Sequence, residues 1–321
     1  MGAALALGSR GLGCTGLNPA VGCVLVRDGR VLGRGWTQPS GRPHAEAMAL
    51  DAGGEAARGS TAYITLEPCA HRSERGPACA DRLVAAGVAR VVMATGDPDP
   101  RTNGRGIERL RRAGIEVTTG VGETAARSAL APFLTRVLEG RPFVTLKLAT
   151  SLDGAIATAS GQSRWITGER ARAHAHLERA RHAAILVGGG TLRADRPALD
   201  VRLEGLADCS PQRFVLTRAA APEGWLAVAS PDDLPMVNSV LVEGGAGAAA
   251  AFLAADRVDR LLLYRAPIVI GGGRSAVDGF GLPDLATAHG RWSLTDRRTL
   301  GVDVVELHDR TSREAVCSLA S

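Results

Sequence analysis

The sequence predicts two consecutive α/β domains, one over residues 1–140 and one over residues 141–321. In both halves, apolar segments of strand length alternate with helical segments of about ten residues, an order typical of a sheet covered by helices on both faces. The alternation breaks at Leu138–Pro142 and then restarts. A chain of 321 residues is long enough for each domain to bury its own core.

Turn and cap residues define the elements of the first half. Asp28-Gly29 is a typical two-residue hairpin turn between apolar strands. Pro43 stands where a helix begins, and Gly53-Gly54 stands where that helix ends. The predicted strands are 21–26, 31–36, 62–66, 88–94 and 115–117, and the predicted helices are 2–10, 44–51, 79–86 and 104–113.

The second half repeats the alternation with more glycine. Its strands 183–187 and 240–242 run towards glycine-rich turns at 188–190 and 244–245. Such turns allow a backbone to approach a phosphate closely, although most glycine-rich turns are only turns. Neither has the spacing G-x-G-x-x-G, so a Rossmann domain is not predicted. The other predicted strands are 143–149, 214–216 and 260–265, and the predicted helices are 169–181 and 247–255.

Composition favours a small phosphorylated ligand over nucleic acid or a membrane. Lys and Arg total 38 against 33 Asp and Glu, the net charge is +5, and aromatic residues make up only 3%. A nucleic-acid surface usually concentrates basic and aromatic residues, whereas these arginines are scattered. No apolar run reaches the roughly 18 residues that span a bilayer, and no signal peptide is expected. Six dispersed cysteines do not form the pattern of a disulfide framework, and the expected location is the cytoplasm.

Three residues of the first half have the spacing of zinc ligands. His44 starts one predicted helix, Cys69 follows a strand, and Cys79 starts another helix. Three protein ligands leave the fourth position of a catalytic zinc for water, and Glu46 stands where it can move protons as the catalytic residue. The pattern H-A-E followed by P-C and a further Cys is typical of zinc deaminases. There are two alternatives to a catalytic zinc site. The zinc could be structural, with His71 as its fourth ligand, or the two cysteines could be buried thiols without a metal.

Further motifs in both halves resemble one family, the bifunctional deaminase–reductases of riboflavin biosynthesis. The resemblance covers nearly the whole chain in the same order, and a generic deaminase would not share the second set of motifs. The matching segments are 18–24, 43–46, 66–71 and 104–106 in the first half, and 147–154, 160–167, 242–245 and 266–267 in the second half.

The resemblance implies a cytidine-deaminase-like three-layer α/β/α domain followed by a dihydrofolate-reductase-like α/β domain. It also implies Zn²⁺ and NADPH as cofactors and a pyrimidine ribosylamine phosphate as substrate, which is first deaminated and then reduced in its ribosyl chain. By the same resemblance, the cofactor-binding residues would be Ala149, Trp165, Thr191, Asp195, Gly245, Ala246 and Gly247. The substrate-binding residues would be Asn18, His71, Ser163, Arg179, Leu199, Arg202 and Glu243.

Residue chemistry supports some of these implied roles more than others. Arg179 and Arg202 suit a phosphate because a guanidinium binds it through two bonds, although both could be surface arginines. Trp165 could equally be a core ring, and no side-chain acid for the reduction is evident. The chain is expected to form a homo-oligomer and to bind neither nucleic acid nor a membrane.

The sequence departs from the family pattern at several positions. One extra residue separates Cys69 from Cys79, which predicts a bulged loop. Arg196 and Asp200 replace the usual residues, Thr217-Arg218 lacks the usual strand ending, and the stretch 219–237 is short. An alternative is therefore a deaminase whose second domain only binds nucleotide or stabilises the chain. A third hypothesis, that the chain is a nucleic-acid-editing deaminase, lacks support because the short C-x-x-C spacing is missing. The non-enzymatic alternative is that the chain is a zinc-stabilised scaffold.

Overall fold

The computed structural model describes residues 1–71, 76–282 and 284–311. The chain divides into two compact units, Met1–Arg141 and Pro142–Ser321. The proline at the start of the second unit lies one residue beyond the start of the second predicted domain. Each unit contains its own sheet and its own buried apolar cluster.

The first unit contains six α-helices and five strands within the described residues. The helices are α1 (Gly2–Gly8), α2 (Ala45–Gly53), α3 (Cys79–Ala86), α4 (Arg105–Arg112), α5 (Glu123–Ala129) and α6 (Ala131–Glu139). The strands are β1 (Gly22–Arg27), β2 (Arg30–Trp36), β3 (Thr61–Ile64), β4 (Arg90–Met93) and β5 (Glu116–Thr118). Their order in the sheet is β2-β1-β3-β4-β5.

This sheet is mixed and has helices on both faces. Strand β1 pairs antiparallel with β2 and β3, while β3, β4 and β5 run parallel. Cys23 and Leu25 join the cluster that includes α2 and α3 residues, whereas Val24 points the other way and packs with Ala4 and Leu7 of α1. The predicted hairpin turn is present, with Asp28 and Gly29 both at positive φ.

Helix α2 lies unusually close to the edge strand β2. A Cβ added to Gly33 would stand 2.0 Å from the Ala49 carbonyl oxygen, and one added to Gly35 would stand 2.1 Å from that of Ala45. Only glycine permits this approach. The contact fixes the start of α2, where His44 and Glu46 lie.

The second unit contains three α-helices and ten strands within the described residues. The helices are α7 (Glu169–Ala180), α8 (Gly189–Asp195) and α9 (Ala246–Ala254). The strands are β6 (Phe143–Thr150), β7 (Ala155–Ala157), β8 (Ala184–Gly188), β9 (Gln212–Leu216), β10 (Leu226–Val228), β11 (Ser239–Val242), β12 (Arg260–Arg265), β13 (Arg274–Ser275), β14 (Trp292–Leu300) and β15 (Asp303–Arg310). Eight of these strands form one sheet in the order β10-β9-β8-β11-β6-β12-β15-β14, and β13 pairs with β7.

The central strands of this sheet are parallel, and its last two strands form an antiparallel hairpin. Strands β8, β11, β6 and β12 pair in parallel, and β15 pairs antiparallel with β12 and β14. Strand β11 is buried along its whole length, which explains its continuous apolar sequence. The two α/β domains predicted from the sequence are therefore confirmed as the fold class.

Some elements differ from the sequence prediction. Helices α5 and α6 and the β14–β15 hairpin were not predicted, because α5 is rich in small residues and β14 is mostly exposed and polar. Residues 188–190 were expected to form a turn, but α8 begins at Gly189 and includes Leu192, Arg193 and Ala194, which favour helix. Among the described residues, no helix combines the length and apolar character needed to cross a bilayer.

Candidate functional site

The predicted zinc ligands meet where three elements of the first unit begin or end. His44 is the N-cap residue of α2, and Cys79 is the first residue of α3. Cys69 lies on the segment that leaves β3, and its carbonyl oxygen accepts a hydrogen bond from the Ala80 amide. Each ligand therefore projects from a backbone that is fixed by a helix start.

The three side chains present a donor set that fits zinc. The His44 Nδ1 atom lies 3.2 Å from Cys79 Sγ and 3.6 Å from Cys69 Sγ. All three ligand atoms lie within 4.8 Å of one another. Tetrahedral zinc with ordinary Zn–N and Zn–S bonds separates nitrogen from sulfur by about 3.6 Å, which is close to these distances. The residues present thus fit a zinc ion with three protein ligands.

The electrostatics of the thiols also suit a cation. The hydrogen bond from the Cys79 thiol, with further ones from His44 and the Cys79 amide, lowers the pKa of Cys69 to about 4 against the opposing effect of burial. The same hydrogen bond and burial raise the pKa of Cys79. Two adjacent thiols thus share one proton, and a divalent cation between them would allow both to be thiolates.

Glu46 is buried in the first turn of α2, two residues beyond His44. Its side chain is only 4% exposed. Burial raises its pKa, although the charge of His44 opposes that effect. A raised pKa makes the carboxylate a stronger base than an exposed one, which suits a group that must take up a proton during a reaction.

Two predicted substrate residues of the first unit, Asn18 and His71, each lie close to another segment of that unit. Asn18 lies beside Gly41, where an added Cβ would come within 1.9 Å of the Asn18 Nδ2 atom. The His71 Nδ1 atom lies 3.5 Å from the hydroxyl oxygen of the buried Thr102. Residues 72–75, where the longer Cys69–Cys79 loop was expected to bulge, lie outside the described residues.

Asp97 is a candidate that the sequence prediction missed. It is 8% exposed, and burial, with the charges of Asp99, Glu67 and Cys69, raises its pKa to about 6. Asp99 is held by Arg101 through both carboxylate oxygens, at distances of 2.5 to 3.1 Å. The signal in the sequence was the pair of Asp-Pro steps after β4, which place two carboxyl groups at the end of a parallel strand.

In the second unit, Glu243 and Arg179 form the centre of a charged cluster. The Arg179 guanidinium donates to Glu243 Oε1 at 2.8 Å and to Oε2 at 2.9 Å, and it also reaches the Asp200 carbonyl oxygen at 3.2 Å. The Lys147 Nζ atom lies 3.6 Å from Glu243 Oε2. Burial raises the pKa of Glu243, but the charges of Lys147 and Arg179 outweigh it and bring the pKa to about 2.

Lys147 was not among the predicted site residues. It is the only lysine in the chain, among 38 basic residues. Its ammonium nitrogen also lies 5.7 Å from the centre of the Tyr264 ring. The presence of a single lysine in a chain that otherwise uses arginine was the available signal, because the two cations differ in size, hydration and acidity.

A second group of predicted residues surrounds the start of α9. The Gly245 amide donates to the Thr191 hydroxyl oxygen at 3.1 Å, which joins the two glycine-rich segments. Gly245 is the N-cap residue of α9, and Ala246 is its first residue. These residues therefore stand at the N-terminus of a helix, where the helix dipole favours an anionic group.

The remaining predicted residues of the second unit are distributed between the core and the surface. Leu199 is buried, and its φ of 55° is positive. Ala149 is half-buried beside the cluster around Tyr264. Trp165 is 67% exposed and lies beneath the Arg172 guanidinium, so the structure does not support the alternative that it is a core ring. The exposed members are Ser163, Asp195, Arg202 and Gly247.

Comparisons with known proteins identify both domains. The cytidine and deoxycytidylate deaminase zinc-binding region matches residues 1–95. The RibD C-terminal domain matches residues 142–230 and 235–305. The riboflavin biosynthesis protein RibD of Escherichia coli (strain K12) is 39% identical over an aligned length of 356 residues. This alignment covers 95% of this chain and 96% of that protein. RibD of Mycobacterium tuberculosis (strain ATCC 25618 / H37Rv) is 39% identical over 312 residues, which cover 91% of each.

Solved structures agree over both domains. Acinetobacter baumannii RibD (form 1) matches with a TM-score of 0.85 and 35% identity over 96% of this chain and 97% of that chain. A Thermotoga maritima protein described as a diaminohydroxyphosphoribosylaminopyrimidine deaminase/5-amino-6-(5-phosphoribosylamino)uracil reductase matches with a TM-score of 0.85 and 31% identity over 97% of each. The resemblance found in the sequence motifs is thereby confirmed. The chain belongs to the RibD family and is a bifunctional deaminase–reductase of riboflavin biosynthesis, with a zinc-binding deaminase domain followed by an NADPH-dependent reductase domain.

Proposed function

We propose that the first domain deaminates 2,5-diamino-6-ribosylamino-4(3H)-pyrimidinone 5′-phosphate, and that the second reduces the ribosyl group of the product to ribityl. The final product would be 5-amino-6-ribitylaminouracil 5′-phosphate. The observation that carries the first step is the convergence of His44 Nδ1 and the Cys69 and Cys79 Sγ atoms within 4.8 Å, next to the buried Glu46. The substrate itself is proposed by analogy with the name of the Thermotoga relative.

In the deamination, His44, Cys69 and Cys79 would hold the metal and Glu46 would carry the proton. Zinc bound there would supply the positive charge that lowers the pKa of a nearby water molecule. Glu46 would take a proton from the attacking water as the new C–O bond forms at the ring carbon that carries the amino group. It would then deliver a proton to the amino group, so that the C–N bond breaks, ammonia leaves and the carbonyl group forms. Asn18 and His71 would hold the pyrimidine and its substituents, and we add Asp97 as a third polar group.

In the reduction, the residues around Thr191 and Gly245 would bind NADPH, which supplies a hydride to the ribosyl chain. The other cofactor residues remain as proposed from the sequence: Ala149, Trp165, Asp195, Ala246 and Gly247. Arg179, Glu243, Ser163, Leu199 and Arg202 would contact the substrate. Because Glu243 already occupies two donors of Arg179, the exposed Arg202 is the better of the two proposed phosphate partners.

Lys147 is a further proposed residue of the reductase site. It stands between Glu243 and the Tyr264 ring with 18% of its side chain exposed. A planar guanidinium would not fit this place in the same way as the compact ammonium group. Lys147→Arg should therefore lower NADPH oxidation at least about tenfold, while ammonia release from the diaminopyrimidinone substrate is unchanged. Equal NADPH oxidation by the variant and the wild type would contradict this role.

One coupled assay tests the whole proposal. The purified zinc-loaded chain is given the diaminopyrimidinone substrate and NADPH, and ammonia release and nicotinamide absorbance are followed together. Equal stoichiometry of the two is expected. Ammonia release without NADPH oxidation would favour the alternative, a deaminase whose second domain only binds nucleotide or stabilises the chain.

Glu46→Gln separates catalysis from metal binding within this assay. We expect ammonia release to fall at least about a hundredfold, because the general acid–base is lost, while the zinc content stays the same. NADPH oxidation with the deaminated intermediate should also be unchanged. Glu55→Gln, which removes an exposed carboxylate just beyond α2, is the matched control and should behave as the wild type. A zinc-loaded Glu46→Gln enzyme with full deaminase activity would refute the assignment.

We also propose that the enzyme works in the cytoplasm as a homo-oligomer. The support for the compartment is the thiol pair Cys69 and Cys79, which are both free cysteines, since disulfides form in oxidising compartments and are rare in the cytosol. The oligomeric state is tested by sedimentation equilibrium of the full chain, and a mass of 33.2 kDa at micromolar concentration would show a monomer.

A further inference from the structure

Glu67 is a buried carboxylate at the back of the zinc site. It lies on the segment that leaves β3, two residues before Cys69, and is 3% exposed. Its own amide donates to the Thr95 carbonyl oxygen at 3.0 Å, so the segment continues alongside the end of β4. The zinc-ligand assignment gives Glu67 no role, because its side chain does not belong to the ligand cluster.

Both carboxylate oxygens of Glu67 accept backbone hydrogen bonds from one neighbouring segment. Oε1 accepts from the amides of Gly106 at 2.9 Å and Ile107 at 3.2 Å. Oε2 accepts from the amides of Gly104 at 3.0 Å and Asp97 at 3.3 Å. Four backbone N–H groups of the segment 97–107 therefore donate to one side chain. A carboxylate offers enough acceptor positions for four donors, whereas the side-chain amide of a glutamine does not.

The segment is also held by close packing. A Cβ added to Gly106 would stand 2.2 Å from the Pro68 carbonyl oxygen and 3.1 Å from Glu67 Oε1. Glycine at this position lets the first turn of α4 rest directly on Glu67 and Pro68. The start of α4 is thus fixed to the chain that carries Cys69.

The residues between these anchors are polar groups of the deaminase site. Asp97 and Asp99 lie in this segment, and the Thr102 hydroxyl oxygen lies 3.5 Å from the His71 Nδ1 atom. The Asp97 amide donates to Glu67 Oε2 at 3.3 Å, which places Asp97 against the segment that carries Cys69. Glu67 therefore connects the metal-binding segment to the residues that surround the substrate.

We infer that Glu67 is a positioning residue of the deaminase, which holds the segment 97–104 in the place required for substrate binding. The inference rests on the proposed deamination, and it concerns substrate affinity rather than the metal. Glu67→Gln is the sharpest perturbation, because it keeps the volume of the side chain. Whichever oxygen becomes the amide nitrogen, two backbone N–H groups would then face a donor instead of an acceptor.

The experiment compares Glu67→Gln with the wild type in the full zinc-loaded chain, using the diaminopyrimidinone substrate. We expect the KM for deamination to rise at least about tenfold with a smaller change in kcat. Zinc content and NADPH oxidation with the deaminated intermediate should stay at wild-type values. Hydrogen exchange of the segment 97–107 should become faster, since its amides lose their acceptor. Glu116→Gln, which removes an exposed carboxylate on the edge strand β5, is the control and should change none of these quantities.

Gly106→Ala gives the same information while Glu67 itself is kept. The added methyl group would meet the Pro68 carbonyl oxygen, so α4 must move away from Glu67. We expect the same rise in KM with zinc retained, including in the case where Glu67→Gln does not fold.

The outcomes separate this inference from the proposed function. Unchanged KM and unchanged exchange in either variant would overturn the positioning role. Loss of zinc with intact reductase activity would overturn it too, because Glu67 would then serve the metal site. If the wild type released no ammonia from this substrate, the proposed deamination would fail, while the exchange measurement would still test whether Glu67 holds the segment.

Discussion

Glu243→Gln removes one buried charge from the reductase domain without changing the volume of the side chain. In the wild type, burial alone would raise the pKa of Glu243, but the Lys147 charge and the Arg179 hydrogen bonds lower it from 4.5 to about 2. One pKa unit corresponds to about 1.4 kcal/mol, so the interactions of the carboxylate stabilise the fold at neutral pH by about 3 kcal/mol. The variant leaves Arg179 and Lys147 without their counter-ion, and the expected loss is of the same size.

The stabilisation by Glu243 should depend on pH. The pKa of Glu243 is lower in the folded state than its ordinary value of 4.5. The stabilisation is therefore fully present above about pH 5 and is lost as the pH falls through 4.5 towards 2. The difference in unfolding free energy between wild type and variant should shrink over that window.

Urea unfolding followed by tryptophan fluorescence measures the effect. Three of the four tryptophans, at positions 165, 225 and 292, belong to the reductase domain. A Trp36→Phe background removes the remaining signal from the deaminase domain. Glu204→Gln, which removes an exposed carboxylate of the same domain, should leave the transition unchanged. A loss below about 1 kcal/mol for Glu243→Gln, or one that is independent of pH between 5 and 3, would refute the reasoning.

Three further predictions concern backbone geometry and one loop. Gly35→Ala should weaken zinc binding and lower the stability of the deaminase domain by about 1–3 kcal/mol, because its methyl group would meet the Ala45 carbonyl oxygen. Metal titration measures the loss of zinc affinity, and urea unfolding measures the loss of stability. Arg196→Gly should raise the stability of the reductase domain by about 0.5–1 kcal/mol, since the residue has a φ of 41°; an unchanged urea midpoint would contradict this. Asp153→Asn should speed hydrogen exchange at the Gly271 amide, which donates to Asp153 at 2.8 Å. The hydrogen bond from Ser151, with those from the amides of 270 and 271, lowers the pKa of Asp153 to about 2. In the wild type, the protection of the Gly271 amide from exchange should therefore be lost only as the pH falls below 3.8 towards 2.

The sequence was most informative where short motifs join chemistry to a helix start. His44, Glu46 and Cys79 each lie within the first turn of a helix or cap it, so their neighbours in sequence are also their neighbours in space. That the two helix starts and Cys69 share one site was inferred from the zinc-deaminase pattern as a whole, because His44 and Cys79 are 35 residues apart in sequence. The edges of the helices and strands shifted by a few residues, because terminal hydrogen bonds depend on tertiary contacts.

The roles of Glu67, Asp97 and Lys147 could not be predicted in this way. Glu67 accepts hydrogen bonds from backbone amides up to 40 residues further along the chain, and no local sequence pattern encodes such a contact. The pKa of Asp97 depends on burial, which the sequence does not specify. Lys147 stands in an apolar strand and becomes a site residue only when β6 and β11 pair, because this pairing brings Glu243 beside it.

The single lysine has a practical consequence for measuring the stability of each domain. An endoprotease that cleaves only after lysine has one target bond in the whole chain, between residues 147 and 148. That bond lies inside β6, which pairs on both sides with β11 and β12. Cleavage therefore requires the central sheet of the reductase domain to open, and it yields only the fragments 1–147 and 148–321. A brief digestion at each urea concentration would thus count the molecules whose reductase domain is open, whatever the state of the deaminase domain.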